Sequence, residues 1–147
     1  MNRENVIDRI LYSYFLEQIF SVATGRLDRL LSCVNIILGS SVIVDIIPRL
    51  SCVIIVIVTV MQVVYSFGKK SGTASCKAAE YLQLYDDQSE YNDSELKYKL
   101  KMLEKTDENI WSPLKDIAIL KTQIKVGIPK EQRIKLSVIS RMFIILC

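Results

Sequence analysis

The strongest constraint on this chain is the block at residues 30–67, whose only charges are Asp45 and Arg49, placed on either side of Pro48. A chain of 147 residues has little other material with which to cover so long an apolar run. The block divides at its proline. Residues 30–47 (LLSCVNIILGSSVIVDII) and 50–67 (LSCVIIVIVTVMQVVYSF) would each extend roughly 27 Å as a helix, close to the hydrocarbon thickness of a bilayer. The second segment is rich in Val and Ile, which elsewhere favour strands, but it is far longer than an ordinary strand. In hydrocarbon a helix satisfies its own backbone whatever its side chains prefer. Pro48 suits the first turn of the second helix, and Asp45 and Arg49 suit the headgroup region of a tight hairpin. The expected fold is therefore an all-α membrane protein: a two-helix transmembrane hairpin with flanking amphipathic and cytosolic helices.

Basic residues orient the hairpin. Arg26 and Arg29 precede the first segment, Lys69, Lys70 and Lys77 follow the second, and Arg49 alone lies between them. This asymmetry places both termini in the cytoplasm. Arg26, Arg29, Asp45, Arg49, Lys69 and Lys70 are the expected membrane-edge charges. The net charge of +3 arises after the apolar block, where fourteen Lys/Arg face eleven Asp/Glu from Lys69 onward. That bias fits a domain beside an anionic leaflet and is too diffuse to indicate nucleic acid. Glu4, Asp8 and Glu17 in the first turns argue against a cleavable signal peptide.

Three segments follow: an N-terminal amphipathic helical segment at 1–29, the transmembrane hairpin at 30–67, and a cytosolic helical domain at 68–147. In the first, Val6, Ile7, Ile10, Leu11, Tyr14, Phe15 and Ile19 recur at helical spacing and predict a helix over about 5–22. Gly72 is read as a local joint, after which 74–105 reads as one long helix. Its stripe of Ala78, Tyr81, Leu82, Tyr85, Leu96, Leu100 and Leu103 would serve either an oligomer contact or a core. The acids and lysines along it read as a solvated, self-pairing face. Ser112 and Pro113 mark a helix start, with the serine as cap and a run to about Val126. Gly127 and Pro129 interrupt it, and 130–146 offers a last amphipathic segment for the cytosolic core or the bilayer surface.

Polar residues interrupt the apolar segments on one face each. Asp28, Ser32, Asn35 and Gly39 recur at three- and four-residue steps, and Thr59, Gln62 and Ser66 do the same on the second segment. Ser32, Asn35, Gly39, Thr59, Gln62 and Ser66 are therefore the candidate pore or interhelix positions. Small residues allow close helix approach and amides bond across a helix pair, so packing is the plainer reading and a pore lining the sharper one. Catalysis is not expected. The chain has no histidine, no glycine-rich phosphate loop and no carboxylate pair set around a polar cavity. Its four cysteines lack zinc-site spacing and are read as unpaired, with no metal and no cofactor.

The order of these parts resembles the SLATT family of small prokaryotic membrane proteins. The resemblance rests on Tyr14, Arg26, Leu27, Asp28, Arg29 and Leu30 before the apolar block and on Ala78, Ala79, Glu80, Tyr81 and Leu82 after it, and covers roughly residues 10–105. It implies a bacterial inner-membrane effector of a conflict or antiviral defence system, tied to nucleotide signalling and proposed to form pores that arrest growth. The expected partners are membrane lipid, further copies of the chain and a regulatory protein or nucleotide-signalling component. A non-catalytic membrane-anchored adaptor is the alternative.

Overall fold

The computed structural model describes residues 3–40, 48–107 and 110–146, and the side chains of Pro48, Val138, Ile145 and Leu146 are not described. All regular structure among the described residues is helical: α1 (Arg3–Leu38), α2 (Pro48–Tyr65), α3 (Phe67–Asp86), a 3-10 turn (Asp87–Glu90), α4 (Asp93–Glu104), α5 (Ser112–Lys125), a second 3-10 turn (Lys130–Gln132) and α6 (Val138–Leu146).

The expected helix over 5–22 is much longer, because α1 runs without a break from Arg3 to Leu38. A change of surroundings from polar to apolar does not terminate a hydrogen-bond ladder, and no proline interrupts this stretch. Gly25 sits inside it for a packing reason: a Cβ there would meet Ser71 Oγ at 2.8 Å. α3 lies against α1 at that point. Ser21 Oγ donates to the Ser71 carbonyl and Ser71 Oγ donates to the Ser21 carbonyl, each at 2.8 Å. Gly68 approaches the Asp28 carboxylate, and Tyr81 packs near Ile10, so α3 runs antiparallel to α1.

The expected 18-residue first span is not an unbroken helix. α1 ends at Leu38, Gly39 lies in a turn and Ser40 in a bend. Gly39 N–H donates to the Asn35 carbonyl and Ser40 N–H to the Ile37 carbonyl, closing the end of a helix whose continuation is a run of weak helix formers. The expected link, with Asp45, falls at residues 41–47, outside the described residues. Among the described residues one helix is long and apolar enough to cross a membrane. It begins at Arg49 and carries an 18-residue window of mean hydropathy 2.4, of which 17% is buried. A core helix of a soluble bundle would be covered. Here Val53, Val56, Ile57, Val60, Val63 and Val64 are all more than half exposed, alongside Leu30, Ile36 and Ile37 of α1, an apolar surface of the kind that water disfavours and lipid accepts.

The joint expected at Gly72 lies instead at Ser66, and α3 passes straight through Gly72. Ser66 has φ 47° and ψ 48°, the left-handed region that costs a side-chain-bearing residue roughly 1–2 kcal/mol. The rings of Tyr65 and Phe67 stack across it at 5.4 Å, and Ser66 Oγ donates to the Val63 carbonyl.

Nor is 74–105 one helix. The chain turns back at Asp87–Asn92, where Asn92 and Glu95 form a capping box at the start of α4. Arg3 fastens the turn, donating to the carbonyls of Gln88 and Tyr91 and pairing with Asp93. α4 then runs parallel to α1, with Arg9 paired to Glu104. Val6, Ile10, Tyr81, Leu84, Leu96 and Leu100 form one core here.

A second core lies nearer the apolar helices, where α5 packs Leu114, Ile117 and Ala118 against Ile19, Phe20 and Ala23 of α1 and Ala74 of α3. Trp111 meets Phe20 edge-on at 5.6 Å. Ser112 is already helical and Trp111 occupies the cap without a side-chain bond, so the expected serine cap moves by one residue. Gly127, at φ 86°, ends the element. The expected single segment at 130–146 is a 3-10 turn, an extended strap and the short α6. Arg133 donates to the Ile128 carbonyl and Gln123 accepts from Ile134 N–H, which ties the strap to the end of α5.

Candidate functional site: an amide cluster between the apolar helices

The polar positions of α1 and α2 converge where the two helices cross. Asn35 Nδ2 donates to Gln62 Oε1 at 2.8 Å and approaches Thr59 Oγ1 at 3.4 Å. Gln62 Nε2 donates to Ser32 Oγ at 3.0 Å and to the Asp28 carbonyl at 3.4 Å. The orientation of both amides follows from that last contact. A carbonyl only accepts, so Gln62 must turn its nitrogen toward Asp28; its oxygen then faces Asn35, which must offer its own nitrogen. Asn35 Oδ1 is left buried with no hydrogen-bond partner. An amide carbonyl held away from water in this way carries a desolvation cost of about 1–3 kcal/mol.

Of the six candidate polar positions, Ser32, Asn35, Thr59 and Gln62 are brought together. Gly39 lies beyond the helix end and is exposed, and Ser66 turns its hydroxyl back on its own helix. Arg29, Arg49 and Lys69 are exposed around the ends of the apolar helices, as is Arg26, which has an interaction partner, and Lys70 is half-buried; Asp45 is outside the described residues. The stripe that follows is mostly interior. Ala78, Tyr81, Leu96 and Leu100 are buried, Tyr85 and Leu103 pack against them, and Leu82 is exposed. These residues meet because the chain doubles back, with α4 lying on α3.

A second polar group was not legible in the sequence. Tyr81 is fully buried and its hydroxyl donates to Asp107 at 2.8 Å. Lys77 pairs with the same carboxylate and donates to the Thr106 carbonyl. Burial first, and the bond to Asp107 second, push the Tyr81 phenol well above its ordinary range. Tyr12 is raised by burial and by Asp116. Asp107 lies 26 residues from Tyr81 and 30 from Lys77 in the chain, so no local spacing announces the pairing. The Lys77–Tyr81–Asp107 group clamps α3 to the loop after α4.

Grooves on the helices away from the apolar pair are open. One, of about 310 Å³, lies between α3 and α4 and is lined by Leu84, Tyr91, Tyr98, Lys99 and Met102 among others. No group of three or more Cys, Asp or Glu that would hold a metal occurs among the described residues. No family model, curated protein or solved structure matches the chain.

Proposed function

We propose that this chain is a two-span bacterial inner-membrane protein, both termini cytosolic, that assembles with further copies and perturbs the bilayer under control of its cytosolic helices. The observation that carries the reading is the unpartnered Asn35 Oδ1, buried between α1 and α2 in the apolar zone. An acceptor in that position is stabilised by a donor from a neighbouring copy or by water in a path between copies. The lipid-compatible faces of α1 and α2 supply contact area, and the SLATT-like order of parts points the same way. The tyrosine and leucine stripe is spent on the chain's own core, which leaves the apolar helices as the surface for assembly.

One observation favours an anchor that only positions the cytosolic helices for a protein partner: three of the four amide polar atoms of Asn35 and Gln62 are bonded within one chain. Expression in bacteria with a membrane-potential dye separates the two readings. Rapid depolarisation by the wild type, weakened by Asn35→Leu while insertion and assembly persist, is the expected result. An assembled wild type that leaves potential and ion leakage unchanged, with its associated genes supplied, refutes the effector reading in favour of the anchor.

A further inference from the structure

The hairpin of α3 and α4 is divided by charge. Residues 80–90 carry Glu80, Asp86, Asp87 and Glu90 and no base, while residues 97–105 carry Lys97, Lys99, Lys101 and Lys105 and one acid, Glu104, which pairs with Arg9. The self-pairing expected of these charges is absent: among the described residues no ion pair joins the two runs. Between them lies the groove of about 310 Å³, with Glu80, Gln83 and Asp87 on one bank and Tyr98, Lys99 and Met102 on the other. Tyr98 is 65% exposed and Met102 47%. Lys99 Nζ is held 4.3 Å from the centre of the Tyr91 ring and Lys105 Nζ lies 3.9 Å from the Met102 sulfur, so both ammonium groups stand at the rim of the groove.

Height and direction decide what fits there. Lys77 and Tyr81 bond to Thr106 and Asp107 beyond the end of α4, and Leu84 shares a core with Leu96 and Leu100. In this antiparallel pair Glu80 stands near the height of Lys105, and Asp87 near that of Lys99. α3 and α4 both lie along α1, which continues into the apolar zone, so the groove runs in the direction in which α1 would enter a bilayer. Copies inserted the same way round in one membrane are related by rotation about its normal, and a two-fold is the commonest closed arrangement. With that axis along the mouth of the groove, each bank of one copy faces the opposite bank of the other at the same height. Glu80 and Asp87 then meet Lys105 and Lys99 of the second copy, and Tyr98 and Met102 close over the partner groove, the charged rim setting the register. Toward the apolar helices the same side of α3 presents Gly72, Cys76 and Ala79, all exposed and small, and no bulk there holds two copies apart.

We propose that the α3–α4 groove is a two-fold contact with a second copy of the chain, in which the acidic bank of each copy pairs with the basic bank of the other. The proposal rests on the reading of α1 and α2 as membrane helices whose copies assemble, and adds a contact outside the apolar pair. Because its charges are solvent-exposed, salt weakens this contact.

The test uses the full chain with Cys33, Cys52, Cys76 and Cys147 replaced by serine. Chains carrying Gln83→Cys and chains carrying Met102→Cys, distinguished by tags, are mixed, reconstituted into vesicles and treated with a short bis-maleimide. The expected result is that the mixed pair crosslinks faster than either chain with itself, while Lys121→Cys chains do not crosslink. Glu80→Lys with Asp87→Lys in both tagged chains, or Lys99→Glu with Lys105→Glu in both, should each slow the reaction by about tenfold or more. Reversing the acids in the Gln83→Cys chain and the lysines in the Met102→Cys chain should restore it, since each then offers the other a complementary bank; only pairing between chains predicts this rescue. If the mixed pair crosslinks no faster than Lys121→Cys chains while mass measurement in detergent still shows oligomers, the inference is overturned and assembly through the apolar helices stands. If the chain is monomeric at every working concentration, both fall. Crosslinking that survives the reversals, or reversals that do not rescue each other, overturns the charge pairing and with it the proposal. A Met102→Cys thiol shielded from maleimide in cells without a crosslink between chains assigns the groove to a different protein and likewise overturns it.

Discussion

Replacing Gln62 by leucine should loosen the α1–α2 pair more than replacing Asn35, although the two amides share one bond. Gln62 makes the 2.8 Å bond to Asn35 and the 3.0 Å bond to Ser32, with a longer reach to the Asp28 carbonyl. Interhelical hydrogen bonds in membranes average about 0.6 kcal/mol and reach about 1.7. Two sound bonds and one long one therefore put Gln62→Leu at about 1–2 kcal/mol. Asn35→Leu removes one sound bond and the unbonded Oδ1 but leaves Gln62 Oε1 without its partner, so its cost should stay near that of the single bond, about 0.6 kcal/mol. In the double variant the shared bond is lost once rather than twice, giving a coupling energy of about 0.5–1 kcal/mol. Reversible unfolding in bicelles, followed by fluorescence transfer between labels on α1 and α2, measures all four corners of the cycle. Additive singles, with coupling below about 0.3 kcal/mol, would refute the claim that these amides are bonded to each other. Asn35→Leu costing more than Gln62→Leu would refute the account of Oδ1 as an uncompensated acceptor.

Two further outcomes follow from the polar group and the joint. Tyr81 has its phenol raised in the folded chain above the ordinary value of 10.0, so the folded state resists ionisation that the unfolded state undergoes; its contribution is intact below pH 10 and is lost as pH rises above that value. Denaturant midpoints measured against pH should fall in the alkaline range for the wild type and fall less steeply for Tyr81→Phe, which costs about 1 kcal/mol at neutral pH; identical alkaline slopes would exclude Tyr81 as the source. Ser66→Gly should stabilise by about 0.5–1 kcal/mol by removing the left-handed penalty, and Ser66→Val should destabilise by at least as much; a loss of stability in the glycine variant would mean that the Ser66 hydroxyl, not its backbone, dominates that site.

Periodicity made the polar positions legible and left their partners undetermined. The three- and four-residue steps of Ser32, Asn35, Thr59 and Gln62 put them on facing stripes, which two antiparallel helices bring together whatever their exact register. Gly39 and Ser66 share the spacing but not the cluster, because spacing assumes a helix that continues, and α1 ends before Gly39 while Ser66 leaves the helical region. The reversal at Asp87–Asn92 was hidden for the opposite reason. Leu96, Leu100 and Leu103 continue the helical rhythm of Tyr81 and Tyr85, so a hairpin and a straight helix share one pattern. The distinguishing signal was the Asn92-x-x-Glu95 capping box, set within a charge run that reads equally well as a solvated face. The expected boundary between residues 29 and 30 marks a change in side-chain polarity rather than a break in structure, and α1 passes through it.

That continuity bears on how the helices packed on the first half of α1 would act on the apolar ones. α1 belongs to both zones as one rigid element, and α3 is fastened to it by the reciprocal Ser21–Ser71 bonds and by the close approach at Gly25. Below that contact the bundle moves as α1 moves. Above it, α2 is joined to α3 only through Ser66, whose left-handed backbone already stands apart from the helical minimum on either side. Were α2 to shift against α1, Ser66 is the described joint at which the chain would bend. The same displacement separates Gln62 from Asn35, because those residues sit on the two helices that slide. Such a shift would bend the joint and open the amide cluster together, freeing Asn35 Nδ2 from Gln62 beside an Oδ1 that is already unbonded.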